Sequence, residues 1–352
     1  MGKISWSELF PTNVSFVIFA SYILLFSIQG VIVTSSQSGN KYNYDVTTVV
    51  LLTEFVKLIA SSILYCKDNN IRSLFLEVCE HWKLLALYLI PAFLYSLYNN
   101  LAFHNLTQFD PTTYNILLQF RVVITAILFQ IIFRKKLSKK QWLSLLLLTL
   151  GCIIKQISFG ADYLNDSGLK TATNSSSIFT TFAISSLLFI FIQILCSCFA
   201  GVYNEHLLKS AGADVNIFIQ NVFMYLDSIL CNAGILLVQG KFLAAISSHN
   251  LEQTLNLGVI LVVANNATVG IITSFFLKTL NSILKVFASS LELVLVAIFT
   301  FVFLNVPIYL NTVISIITIL IAVYLYSQNP VSNAPVNKRV TKHDDEDKLL
   351  EV

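Results

Sequence analysis

Long apolar runs alternate with short polar stretches along almost the whole chain. Ten runs are long enough to matter: residues 14–35, 46–65, 84–104, 112–133, 141–159, 182–203, 214–238, 255–277, 283–304 and 308–327. A helix needs about 20 apolar residues to cross the hydrocarbon core of a bilayer, so each run predicts one crossing. The first run is not followed by a small-residue cleavage site and reads as an anchor rather than a removed signal. The expected fold is all-α and integral to a membrane, with ten transmembrane helices. Its expected parts are an N-terminal segment (1–13), a first five-helix half (14–159), a polar loop (160–177), a second five-helix half (178–327) and a disordered tail (328–352).

The basic residues set the orientation. With the N-terminus on the cytosolic side, that side receives Lys3, Lys67, Arg72, Lys83, Arg134, Lys135, Lys136, Lys139, Lys140, Lys209, Lys278, Lys338, Arg339, Lys342 and Lys348. The far side receives Lys41, Lys170 and Lys241 alone. Positive charge concentrates on the cytosolic face of membrane proteins, so both termini are expected in the cytosol. The polar loop then faces away, with acceptor sequons at Asn165 and Asn174.

Composition agrees. Of 352 residues 56% are hydrophobic and 12% charged, about half the charged fraction of a soluble domain. A net charge of +3, with no basic stripe, gives no reason to expect a nucleic-acid partner. Cys66, Cys79, Cys152, Cys196, Cys198 and Cys231 read as small hydrophobes where they lie in apolar runs, and no His or Cys spacing suits a metal. No nucleophile–base pair suggests an enzyme. No cofactor is expected.

Ionisable residues inside the runs are costly in lipid and invite a functional reading. The cations are Lys57, Arg121, Lys155 and Lys285; the acids are Glu54, Asp227 and Glu292. Glu54 and Lys57, three apart, are expected to neutralise each other. Lys155 lies near enough to a helix end to snorkel. Arg121 is nine residues into its run, too deep for either surface. Tyr114 shares its face, Asn115 and Gln119 edge it, and Tyr95, Asn99 and Asn100 stud the preceding run. Asn216, Gln220 and Asp227 follow helical spacing on the seventh run, with Asn221 and Tyr225 nearby, and Lys285 opens the ninth.

Arg121 lies in the fourth run of the first five, and Lys285 in the fourth of the second five. That placement is what a five-plus-five inverted repeat produces, with a substrate site where the halves meet. Two cations facing one cavity repel unless an anion joins them. Phosphate oxygens suit both, Arg by bidentate contact and Lys as a point charge. The anatomy points to a transported organic phosphate, although an interhelical hydrogen-bond lattice without a ligand stays open as an alternative.

Several ordered stretches resemble the nucleotide-sugar transporter family, on the branch of the CMP-sialic acid, UDP-galactose and UDP-N-acetylglucosamine carriers. They include TEFVKL (53–58), IPAFLYSLYNNLAF (90–103), YNILLQFRVVITAILF (114–129), RKKLSKKQWLSLLLL (134–148), AGVYNEHLLK (200–209) and GIITSFFLKTLNSILKVF (270–287). The likeness covers about residues 40–326 and implies the drug/metabolite transporter fold. It implies a Golgi antiporter whose partners are a nucleotide sugar, a nucleoside monophosphate and the lipid bilayer. Self-association, or association with related transporters, is left open.

By the same resemblance Tyr95, Asn99, Asn100 and Tyr114 line the nucleotide pocket; Asn221 and Tyr225 of the seventh run are further candidate substrate-binding residues. Arg121 stands where such carriers have a phosphate-binding lysine, and Lys285 stands at the second. Tyr203, Glu205 and Lys209 match a motif at the cytosolic end of the sixth helix, or else Glu205 and Lys209 form an i,i+4 surface pair. Departures from the family pattern are Arg121 for lysine, Gln220 for arginine, and the acids Asp227 and Glu292. The chain is expected to exchange a cytosolic UDP-sugar for lumenal UMP. A CMP-sialic acid carrier, a non-transporting regulatory protein of the same fold, and an exporter of amines or lipophilic cations are the alternatives.

Overall fold

The structure, a computed structural model, describes residues 6–35, 46–109, 111–156, 176–240, 242–245, 256–304 and 309–331. The sequons and most of the C-terminal tail lie outside the described residues. Every regular element among them is helical. In chain order these are α1 (Trp6–Leu9), α2 (Asn13–Ser35), α3 (Val46–Cys66), α4 (Ile71–Glu80), α5 (Trp82–Gln108), α6 (Pro111–Leu118) and α7 (Arg121–Phe133). They continue as α8 (Lys139–Gln156), α9 (Ser176–His206), α10 (Ile217–Val238), α11 (Phe242–Ala245), α12 (Leu257–Thr279), α13 (Ser282–Leu304) and α14 (Leu310–Ser327). A π-helical turn, Leu207–Ala211, extends α9.

Eight stretches are long and apolar enough to cross a membrane: those of α3, α5, α6 joined to α7, α9 with its π turn, α10, α12, α13 and α14. Of the ten expected crossings, α2 qualifies as apolar over a shorter stretch, Asn13–Gln29, and α8 carries Lys139, Lys140 and Lys155. Helices are the required solution here, because in hydrocarbon every backbone donor must find its acceptor within the segment. Hydroxyls inside the apolar stretches follow the same rule by donating back one turn. Ser27 donates to the Ile23 carbonyl at 2.8 Å, Thr53 to Val49 at 2.7 Å and Thr149 to Leu145 at 2.9 Å.

The fourth run is not one continuous helix. At its break the Gln119 N–H reaches the Ile116 carbonyl and the Phe120 N–H the Leu117 carbonyl, both at 3.1 Å. This three-residue spacing tightens the winding and starts α7 afresh at Arg121. No proline or glycine marks the place.

The most extensive packings join α8 to α14, α5 to α9 and α10, α2 to α12 and α13, α3 to α10 and α12, and α7 to α9. Each pairs a helix from before residue 157 with one from after residue 175. The two sequence halves therefore interleave rather than sit side by side. The α8–α14 contact is close because Gly151 has no side chain: a Cβ there would meet Ile319 Cγ1 at 2.9 Å and the Ile319 backbone nitrogen at 3.3 Å. Ser315 Oγ donates across it to the Gly151 carbonyl at 2.6 Å. Small residues at such crossings let backbones approach in the absence of a hydrophobic drive. Gly151→Val is therefore expected to lower stability by about 1–3 kcal/mol through overpacking, read as a lower melting temperature of the purified protein in detergent.

Candidate functional site

Three adjoining cavities open where the halves meet. The first, about 100 Å³, is bounded by Arg121 and Thr125 of α7, Ser197 and Cys198 of α9, and Lys285 and Ser289 of α13. The second, about 290 Å³, shares Lys285 and adds Tyr95 and Asn99 of α5, Lys57 of α3, and Tyr225 of α10. The third, about 420 Å³, shares Glu54, Lys57 and Asn99 and runs on to Gln29, Val49 and Val262.

The two deep cations do face one space. The helix break places Arg121 in the first turn of α7. Lys285 lies in the first turn of α13. Both are half-buried. Among the described residues there are two ion pairs, Glu54–Lys57 and Glu205–Lys209, and neither includes Arg121 or Lys285. Hydroxyls of Thr125, Ser197, Ser282 and Ser289 and the Cys198 thiol complete the small cavity.

Beyond Lys285 the lining turns aromatic and amide. Tyr95, Asn99 and Tyr225 share the second cavity. Glu54 and Lys57 do form the expected pair, but they are part of the cavity wall rather than a closed structural bridge. The Lys57 ammonium lies 4.8 Å from the centre of the Tyr225 ring, a cation–π contact. Gly270 gives its stem room, since a Cβ there would fall 2.5 Å from Lys57 Cδ.

The other expected site residues are placed elsewhere. Asn100 accepts from Gln239 Nε2 at 3.0 Å and donates to the Ser96 carbonyl at 2.8 Å. The Tyr114 hydroxyl accepts from Gln193 Nε2 at 2.7 Å, and Gln193 in turn accepts from Asn105 at 2.7 Å. Tyr114 thus belongs to a buried chain between α5, α6 and α9, packed against Ile190, Ile194 and Cys198. Asn221 is buried beside Gln220 and is not among the residues lining these cavities. Gln220 itself is saturated: it accepts from the Tyr88 hydroxyl at 2.8 Å and donates to the Gly212 and Val215 carbonyls at 2.7 and 3.0 Å. Asp227 is buried on α10, and one of its carboxyl oxygens has no partner among the described residues. Lys155 donates to the Leu293 carbonyl at 2.6 Å.

Glu205 and Lys209 are not a surface pair. Glu205 is 1% exposed, and its carboxylate accepts from Lys209 Nζ at 2.7 Å, from the Ser282 N–H at 2.7 Å and from Ser282 Oγ at 2.6 Å. Lys209 also donates to the Leu280 carbonyl. The end of α9 therefore caps the start of α13, one turn before Lys285. A carboxylate is well placed on those unsatisfied N–H groups. The i,i+4 spacing was visible in the sequence; the partner 77 residues away was not.

The described residues thus form an all-helical fold with a charged cavity lined by helices from both sequence halves. The family model for nucleotide-sugar transporters matches residues 12–327, and the chain belongs to that family. It is 52% identical to the UDP-galactose transporter senju of Drosophila melanogaster, over 99% of this chain and 96% of that one. It is 30% identical to CMP-sialic acid transporter 1 of Oryza sativa subsp. japonica, over 88% of this chain and 93% of that one. A solved crystal structure of a protein 12% identical to it superposes with a TM-score of 0.60, covering 91% of this chain and 98% of that chain. That likeness concerns the fold alone.

Removing the Glu205 carboxylate leaves the α13 terminus uncapped and Lys209 half-buried without its counter-ion. Glu205→Ala is expected to cost about 2–3 kcal/mol, the scale of a lost charge-assisted hydrogen bond. Thermal unfolding of the purified variant checks this.

Proposed function

We propose that this protein carries a UDP-sugar from the cytosol into the Golgi lumen in exchange for UMP, by alternating access. The observation that carries the reading is the pairing of Arg121 with Lys285 around one small cavity, with no carboxylate among the described residues in ion-pair contact with either. The UDP-galactose transporter, similar over nearly the whole chain, supports uridine as the base. The phosphates sit between the two cations; Tyr95, Asn99 and Tyr225 hold the rest of the molecule.

The packing supports a ten-crossing arrangement of two five-helix halves. Take α2, α3, α5, α6 with α7, and α8 as the first half, and α9, α10, α12, α13 and α14 as the second. Exchanging each helix with its counterpart turns α5–α9 into α2–α12, α5–α10 into α3–α12, and α7–α9 into α2–α13. The contacts α3–α10 and α8–α14 map onto themselves, so the set of major packings is unchanged. With five crossings per half, the halves have opposite topology, as in inverted-repeat carriers. The long contact of α8 with α14 supports α8 as a crossing despite its charges.

The cavities run toward Gln29, Val49 and Val262, at the lumenal ends by the charge-based orientation. At the opposite ends Glu205, Lys209 and Ser282 close the path. This arrangement fits a lumen-facing state in which the cytosolic side is latched. Phosphate binding offsets the repulsion between the cations, so the loaded carrier rocks more readily than the empty one.

In liposomes, uptake of labelled UDP-galactose is expected to rise on preloading with UMP, and equal uptake without preloading contradicts exchange. Replacing Arg121 or Lys285 with Ala is expected to cut uptake more than about tenfold, the scale of one charge-assisted phosphate contact, while the melting temperature without nucleotide holds. A panel of nucleotides and nucleotide sugars, read by melting shift, assigns the base; stabilisation by CMP rather than UMP overturns the uridine assignment.

A further inference from the structure

Glu292 has no part in the exchange as described. It stands on α13 seven residues beyond Lys285 and three beyond Ser289, so the three side chains follow one face of the helix. Lys285 and Ser289 both line the small cavity with Arg121. Glu292 interacts electrostatically with Arg121 and with Lys155 of α8. Tyr22 of α2 hydrogen-bonds Ser289 and lies within the field of both Arg121 and Glu292, which gathers the guanidinium and the carboxylate around one buried phenol. Among the described residues neither Arg121 nor Glu292 closes an ion pair. Both residues are half-buried rather than fully enclosed. Lys155 is already committed to the Leu293 carbonyl.

One carboxylate is thus held near, yet out of contact with, the guanidinium that receives phosphate. We propose that Glu292 is the resident anion of the empty site: it neutralises Arg121 until an arriving phosphate displaces it. The proposal rests on the reading of this cavity as a phosphate site. A guanidinium deep in a membrane protein is unfavourable without a counter-charge, and carboxylate and phosphate oxygens compete for the same N–H fork. The halves slide past each other most easily when the charges between them balance. Phosphate supplies that balance in the loaded carrier, and Glu292 supplies part of it in the empty one.

Two effects of opposite sign follow. Glu292 competes with nucleotide for Arg121 and so weakens binding. It also helps the empty carrier return, so exchange is favoured without being strictly obligatory. A residue with a merely structural part in the fold would, on removal, weaken both binding and transport.

The test compares wild-type protein with Glu292→Gln and Glu292→Asp in liposomes, empty or preloaded with UMP, using labelled UDP-galactose, alongside UMP binding in detergent. Glu292→Gln is expected to raise the ratio of preloaded to empty-liposome uptake about fivefold or more and to tighten UMP binding by a similar factor, the lower range of measured site-to-site couplings. Glu292→Asp withdraws the carboxylate by one methylene and is expected to move both readouts the same way by less. An unchanged ratio, or weaker UMP binding, in Glu292→Gln overturns the proposal. If that variant does not fold, an Asp variant that shifts neither readout, or shifts them oppositely, overturns it. Wild-type protein that neither binds UMP nor responds to preloading overturns the phosphate reading itself, and this proposal with it. Wild-type exchange with an unresponsive Glu292→Gln removes this proposal alone.

Discussion

Charge inside a bilayer has to be balanced locally, and the architecture of this protein follows from that constraint. Most of its intramembrane polar groups are settled by the chain itself. Hydroxyls bond back one turn, Gln220 is saturated by three partners, and Glu205 is held by Lys209 and the start of α13. Exceptions among the described residues are Asp227, Glu292 and the two deep cations. Of these, Arg121 and Lys285 share a small polar cavity with each other.

The interleaved packing explains how that cavity is built. Each of the major helix contacts crosses between the halves, so the cavity wall is assembled from both. Arg121 comes from one half and Lys285 from the other, each in the first turn of a helix. An anion placed between them bridges the two halves directly. The Glu205 cap on Ser282 lies one turn from Lys285.

Much of the fold was legible in the sequence because lipid imposes a simple rule on it: long apolar runs must be helices. Eight stretches met that rule directly, while α2, 23 residues long, and α8, with its three lysines, were legible as runs. The helix break at Gln119–Phe120 was not legible, since neither residue is a breaker by itself. Among the candidate site residues, Arg121 stood out by its depth and Lys285 by its matching place in the second five runs, while Tyr95 and Asn99 were named as pocket residues by the family resemblance. Tyr114, Asn100 and Asn221 have the same composition and spacing, and only the tertiary contacts separate them: Gln193 takes the Tyr114 hydroxyl, and Gln239 takes Asn100. The reverse happened with Glu54 and Lys57. Their spacing announced a pair, but it gave no indication that the pair borders the cavity beside Tyr225.

The most direct test of the central claim is an experimental structure of the protein with UMP bound. The account predicts the phosphate between the Arg121 guanidinium and the Lys285 ammonium, within hydrogen-bond distance of both. A nucleotide bound with its phosphate elsewhere, while Arg121 is clasped by a carboxylate, contradicts it.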